Sequence, residues 1–107
     1  MIELPEIIKK YVEGSNKHDV KAILGCFIEE ATVHDEGEQL HGKKAIRNWI
    51  LKTIDKYKFQ FKPLSVKEDD TQVVATIEVS GTFDGSPITI DYHFTIENGK
   101  IAFLEIK

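Results

Sequence analysis

The chain has 107 residues, enough for one domain (1–107) and too few for a second core, and its 41% hydrophobic and 30% charged content excludes disorder and coiled coil. The net charge of −4, with Lys and Arg dispersed, argues against a nucleic-acid or anionic-membrane partner, and no apolar run approaches the ~18 residues that span a bilayer. The lone Cys26 excludes an internal disulfide and the start Met1-Ile2-Glu3-Leu4-Pro5-Glu6 lacks the basic and apolar parts of a secretion signal, so a reducing cytoplasm is the expected setting.

In chain order, Leu4, Ile7, Ile8, Tyr11 and Val12 repeat at the spacing of one helix face, with Pro5 at the first turn, and this points Tyr11 toward the core. Asp19 is placed to cap a second short helix whose buried face is read as Val20, Ile23, Leu24, Phe27 and Ile28, with Cys26 as a small buried thiol beside it. Ala31-Thr32-Val33-His34-Asp35 then alternates as a strand, so Ala31, Val33 and Asp35 share one face and Thr32 and His34 the other. An ionisable group in phase with apolar neighbours is a candidate buried acid, because a carboxylate in an apolar pocket is costly unless paired or protonated. The same Asp35, preceding Glu36-Gly37, also fits a solvated turn former.

Gln39-Leu40-His41 reads as a brief returning strand, followed by a third helix with Ala45, Ile46, Trp49, Ile50, Thr53, Ile54 and Tyr57 along one side. The period then changes to two. Phe59 and Phe61 alternate with polar residues, and the apolar phase moves to Leu64 and Val66, which predicts a bulge across Lys62-Pro63. Val73, Ala75, Ile77 and Val79 form the inner side of the next strand, and Ile88, Ile90, Tyr92, Phe94 and Ile96 that of the one after. Asp69-Asp70, Asp84-Gly85 and Asn98-Gly99 separate the runs, the last two being strong hairpin signals. The final run, Lys100 to Ile106, is apolar on both faces, so one face is expected to pack outside the pocket.

Three N-terminal helices against a curved, mixed or antiparallel sheet give an α+β architecture. The cavity between the layers is expected to be lined by Tyr11, Val33, Asp35, Trp49, Tyr92 and Phe94, a mainly apolar wall with a few polar tips suited to a small hydrophobic ligand. His41 before Gly42 is read at the pocket mouth. The histidines lack the tight spacing of a metal site, and no metal or other cofactor is expected.

Lys10-Tyr11-Val12, Asn16 to Asp19, Phe27 to Asp35, His41 to Ile46 and Tyr92-His93-Phe94 together resemble the nuclear transport factor 2-like superfamily, in its SnoaL-like and ketosteroid isomerase-like branch. The resemblance covers nearly the whole chain. It implies a cone-shaped α+β barrel roll of the cystatin type and a homodimer formed through the outer sheet face. It also implies that Asp35 stands at the place of a catalytic base and Tyr11 at that of an oxyanion-hole donor. A protonated aspartic acid completes the isomerase pattern before its His-Phe pair; here that residue is Tyr92, and Asp91 lies on the opposite strand face. The departure points away from steroid isomerisation and toward general enolisation of a small hydrophobic carbonyl compound, because a phenol can also donate to a developing enolate. A cyclase pairing a carboxylate with a histidine, or a non-catalytic binding or dimerisation module, fits the same family.

Overall fold

The computed structural model describes residues 3–70 and 72–107; Met1, Ile2 and Thr71 lie outside, and with them the first two residues of the segment read for a secretion signal. The described chain runs α1 (Glu6–Asn16), α2 (Val20–Leu24), β1 (Phe27–Asp35), β2 (Glu38–His41), α3 (Gly42–Tyr57), β3 (Gln60–Asp69), β4 (Gln72–Ser80), β5 (Ile88–Glu97) and β6 (Lys100–Ile106). The six strands form one curved, unclosed sheet in the order β2-β1-β6-β5-β4-β3.

Local chemistry sets most boundaries. Asp19 accepts from the Ala22 amide at 3.1 Å and caps α2, while α3 ends at Lys58 in the left-handed region, whose amide bonds to the Ile54 carbonyl. Asn98 and Gly99 both have positive φ and close the β5–β6 hairpin in two residues. Along β4, Val73, Ala75, Ile77 and Val79 are all buried, as period two requires. The ladder between β3 and β4 shifts register between Pro63 and Ser65, where the apolar phase changes.

One element departs from the sequence reading, and two features refine it. Phe27 and Ile28 do not belong to the second helix: α2 stops at Leu24, and Phe27 opens β1 opposite Ile101, with the Ile101 amide bonded to the Cys26 carbonyl at 2.8 Å. Tertiary pairing with the last strand outweighs the helical spacing of five apolar residues. That pairing is parallel, so the antiparallel meander β3 to β6 continues into a mixed sheet. In β6, a register shift opposite Thr95 and Ile96 brings both Ile101 and Leu104 to the inner face, which accounts for much of the two-sided apolar pattern. Phe103 remains half-buried on the outer face beside His34.

The end of α1 is fastened to the exposed edge of β3. Asn16 Nδ2 donates to the Phe61 carbonyl at 3.0 Å and Asn16 Oδ1 accepts from the Phe61 amide at 2.6 Å, so one side-chain amide acts as a missing strand neighbour. Asn16→Ala is expected to lower stability by about 2–3 kcal/mol, two hydrogen bonds with partners left behind, seen as a lower urea midpoint at unchanged slope.

Candidate functional site

A cavity of about 310 Å³ opens between the inner sheet face and the helices. Its polar tips are Tyr11 and Ser15 from α1, Asp35 from the end of β1 and Tyr92 from β5. Aromatic and aliphatic walls come from Trp49 and Ile50 on α3, Phe59 and Phe61, and Ile90. Glu36, Tyr57, Phe83, Asp84 and Ile88 form the exposed side.

Register explains how distant residues meet. Parallel pairing sets His34 against Glu105, so the next residue, Asp35, falls beside Ile106, which is itself paired with Tyr92. Asp35 and Tyr92 therefore occupy one row of the inner face two strands apart, about 10 Å between Cα atoms. Tyr11 descends from α1 onto the same floor. It meets Phe94 and Phe27 edge-on, at centroid distances of 5.5 and 6.0 Å, and lies 6.5 Å from the Tyr92 ring.

Asp35 is half-buried and its Oδ2 accepts from the indole N–H of Trp49 at 2.9 Å. Burial lifts its carboxyl above the ordinary aspartate range. The Trp49 hydrogen bond opposes that rise, and the neighbouring Glu36 charge adds to it. Burial likewise raises both phenols, Tyr11 well above its usual value, with the Asp35 charge adding to each. Both hydroxyls thus remain protonated donors wherever Asp35 is ionised. Tyr57 donates to Glu36 on the exposed side, which raises the Tyr57 phenol, and Tyr57 meets Phe83 edge-on at 5.5 Å. The segment carrying Phe83 is anchored to the end of α3, with the Thr82 amide bonded to the Tyr57 carbonyl at 2.9 Å. Gly81 is required there, because a Cβ would lie 2.3 Å from the Tyr57 oxygen.

Of the residues singled out from sequence, Tyr11, Asp35, Trp49 and Tyr92 share this cavity. Val33 and Phe94 do not line it: both are fully buried in the floor, where each pairs with Leu104. His41 lies elsewhere. It pairs with Thr32, an outward residue of β1, and directly paired residues share a face. Its ring bonds to Thr32 at 2.9 Å and to Glu30 at 3.2 Å on the exposed side of the sheet, so it does not border the cavity. Ser15 was not singled out, although its place four residues after Tyr11 put it on the same helix face. Phe59, Phe61 and the residues at 83–88 come from loops and strand ends whose approach to the cavity has no local signature.

Among the described residues, three carboxylates, Asp35, Glu36 and Asp84, line the cavity, and no Lys, Arg or His does. Among the described residues, no three His, Cys, Asp or Glu side chains gather to hold a metal ion, and no helix is long and apolar enough to cross a membrane.

Residues 8–104 match the SnoaL-like domain family. A provisional polyketide cyclase from Sinorhizobium meliloti is 36% identical and superposes with a TM-score of 0.94, over 97% of this chain and 95% of that one. The epoxide hydrolase/cyclase-like enzyme SalBIII, which has a role in pyran ring formation in the polyether salinomycin, is 24% identical with a TM-score of 0.83, over 94% of this chain and 86% of that one. An NTF2-like protein of unknown function from Cytophaga hutchinsonii shares the fold at 17% identity and a TM-score of 0.81, over 100% of this chain and 90% of that one. No curated protein matches the sequence. The matched span, the mixed six-stranded sheet and the cavity beneath three helices lead to one conclusion: this chain, which shares the fold of an NTF2-like protein, belongs to the SnoaL-like domain family.

Proposed function

We propose that the protein is an acid/base enzyme that enolises a small, uncharged, hydrophobic carbonyl compound. One observation carries this reading: a half-buried carboxylate with a raised pKa shares an apolar cavity with two buried phenols. Asp35 removes the proton alpha to the carbonyl, the electron pair of that C–H bond forms the carbon–carbon double bond of the enolate, and the carbonyl π pair moves onto the oxygen. Tyr11 and Tyr92 donate hydrogen bonds to that oxygen as it gains charge. Return of the proton from Asp35 to the same or a conjugated carbon completes an exchange or an isomerisation, and ring closure follows where the enolate meets an electrophile in the same molecule. The polyketide-cyclase and ring-forming relatives are consistent with such chemistry.

The charge lining narrows the substrate. Three carboxylates and no cation in the wall disfavour a carboxylate or phosphate on the ligand. The volume of about 310 Å³ and the aromatic walls suit a compact bicyclic or tricyclic molecule.

The direct test uses 2-tetralone in heavy water, following loss of the proton signal alpha to the carbonyl by NMR. Enzyme-dependent exchange that is lost in Asp35→Asn supports the proposal. Saturable binding without exchange above the buffer rate would replace it with a carrier role.

The Trp49 contact gives a second test with a defined sign. Activity needs ionised Asp35, so the acid limb of the rate profile should lie at higher pH than for an exposed aspartate. Trp49→Phe removes the N–H that favours the carboxylate, and the limb should move further up in pH. A limb that stays in place, or moves down, would disconnect the Trp49 bond from the essential base.

A further inference from the structure

Ser15 is the residue whose chemistry the fold does not use. It lies inside α1, is 1% exposed and lines the cavity, and among the described residues its Oγ is the buried side-chain polar atom without a protein hydrogen-bond partner. Alanine would serve better there on two counts, being the stronger helix former and having no hydroxyl to desolvate. A serine within a helix commonly returns its hydroxyl to a carbonyl one turn back, yet Ser15 does not. Thr53 shows the contrast. It is the other buried aliphatic hydroxyl of the lining, and its Oγ1 donates to the Ile50 carbonyl at 3.1 Å. The Tyr11 phenol is close enough for Ser15 to lower its pKa against the larger effect of burial, yet the pair falls outside hydrogen-bond geometry, so Ser15 Oγ is left without a protein partner in the cavity wall.

We infer that Ser15 is a ligand-contacting residue: the molecule bound in this cavity carries a second hydrogen-bonding oxygen, a hydroxyl or carbonyl, that meets Ser15 Oγ. The inference rests on the carbonyl reading above only for what the two phenols hold. It defines the ligand as an uncharged molecule oxygenated at two separate positions, such as a hydroxyketone or a diketone. A charged second group is disfavoured, since Ser15 offers a neutral partner and the surrounding wall supplies no cation.

The test is calorimetric binding of 2-tetralone and its ring-hydroxylated isomers to the wild type and to Ser15→Ala. At least one hydroxylated isomer should bind the wild type about 5- to 30-fold more tightly than the parent ketone, the range of one hydrogen bond to a buried group. In Ser15→Ala the ratio of isomer to parent affinity should fall to about one, and the variant should melt at the same or a higher temperature. No isomer with a gain, a gain that survives in Ser15→Ala, or a clearly lower melting temperature would each overturn the inference. The carbonyl reading fails separately: Tyr11→Phe and Tyr92→Phe would then bind the parent like wild type while the hydroxyl gain still depended on Ser15. Absence of binding by every compound would overturn both.

Discussion

Asp35→Asn is expected to lower turnover of an enolisable ketone by about 10²- to 10⁴-fold while leaving the fold intact. The substitution preserves shape, and the new amide oxygen can still accept from the Trp49 indole now bonded to Oδ2. Only the capacity to take a proton is lost. The stability readout separates this from damage to the fold. Because burial raises the folded pKa of Asp35 above its unfolded value, its contribution to stability is fully present at low pH and is lost as pH rises through the raised folded value. Asp35→Asn should therefore be at least as stable as wild type at neutral pH, with less dependence of the denaturation midpoint on pH just above the ordinary aspartate range. A variant with full activity, measured as ketone proton exchange against wild type, would remove Asp35 from the chemistry. Equal losses of activity and of folded protein would assign it a structural task instead.

Phe27→Ala is expected to cost about 3–5 kcal/mol in chemical denaturation, a large share of the 5–15 kcal/mol that usually holds a domain together. Phe27 is 0% exposed and packs edge-on against Tyr11, with rings 6.0 Å apart and 82° between planes. Its removal deletes an entire ring at the start of β1 and opens a hole that surrounding strands cannot close without disturbing the pairing with Ile101. Leu64→Ala provides the comparison: Leu64 is 41% exposed, and its loss should fall within about 0.5 kcal/mol. A Phe27→Ala midpoint within that smaller range would show that the core beneath Tyr11 is loosely packed, and the positioning of Tyr11 would need another origin.

The parts of the structure legible in the sequence are those where one element carries its own complete pattern. The long apolar repeats of α1 and α3, the alternation along β4 and the Asn98-Gly99 turn each specify a local geometry that packing then reinforces. Phe27 was ambiguous because an apolar series at 20, 23, 24, 27 and 28 satisfies a helix, and only Ile101 from the far end of the chain decides otherwise. The shift in β6 was hidden for the same reason, since a bulge is defined by its partner strand. At the site, Tyr11 and Asp35 were visible through periodicity and resemblance, and Trp49 through its helix face. His41 illustrates the limit: its nearness to Asp35 in sequence says little, because pairing with Thr32 turns it to the other side of the sheet. Ser15 carried a signal of position but none of need, and an unmet hydrogen bond becomes apparent only when every neighbour is in place.

The parallel pairing of β1 with β6 has a temporal side. The strand that carries Asp35 is made early in synthesis, yet it lies between β2, its hairpin partner, and β6, the last strand. Closing that long loop precedes the reward of its contacts, the kind of non-local topology that slows folding. The Trp49 bond reaches Asp35 from the neighbouring helix, whereas Ile106 and Tyr92 join its row only through the strands at the far end of the described chain.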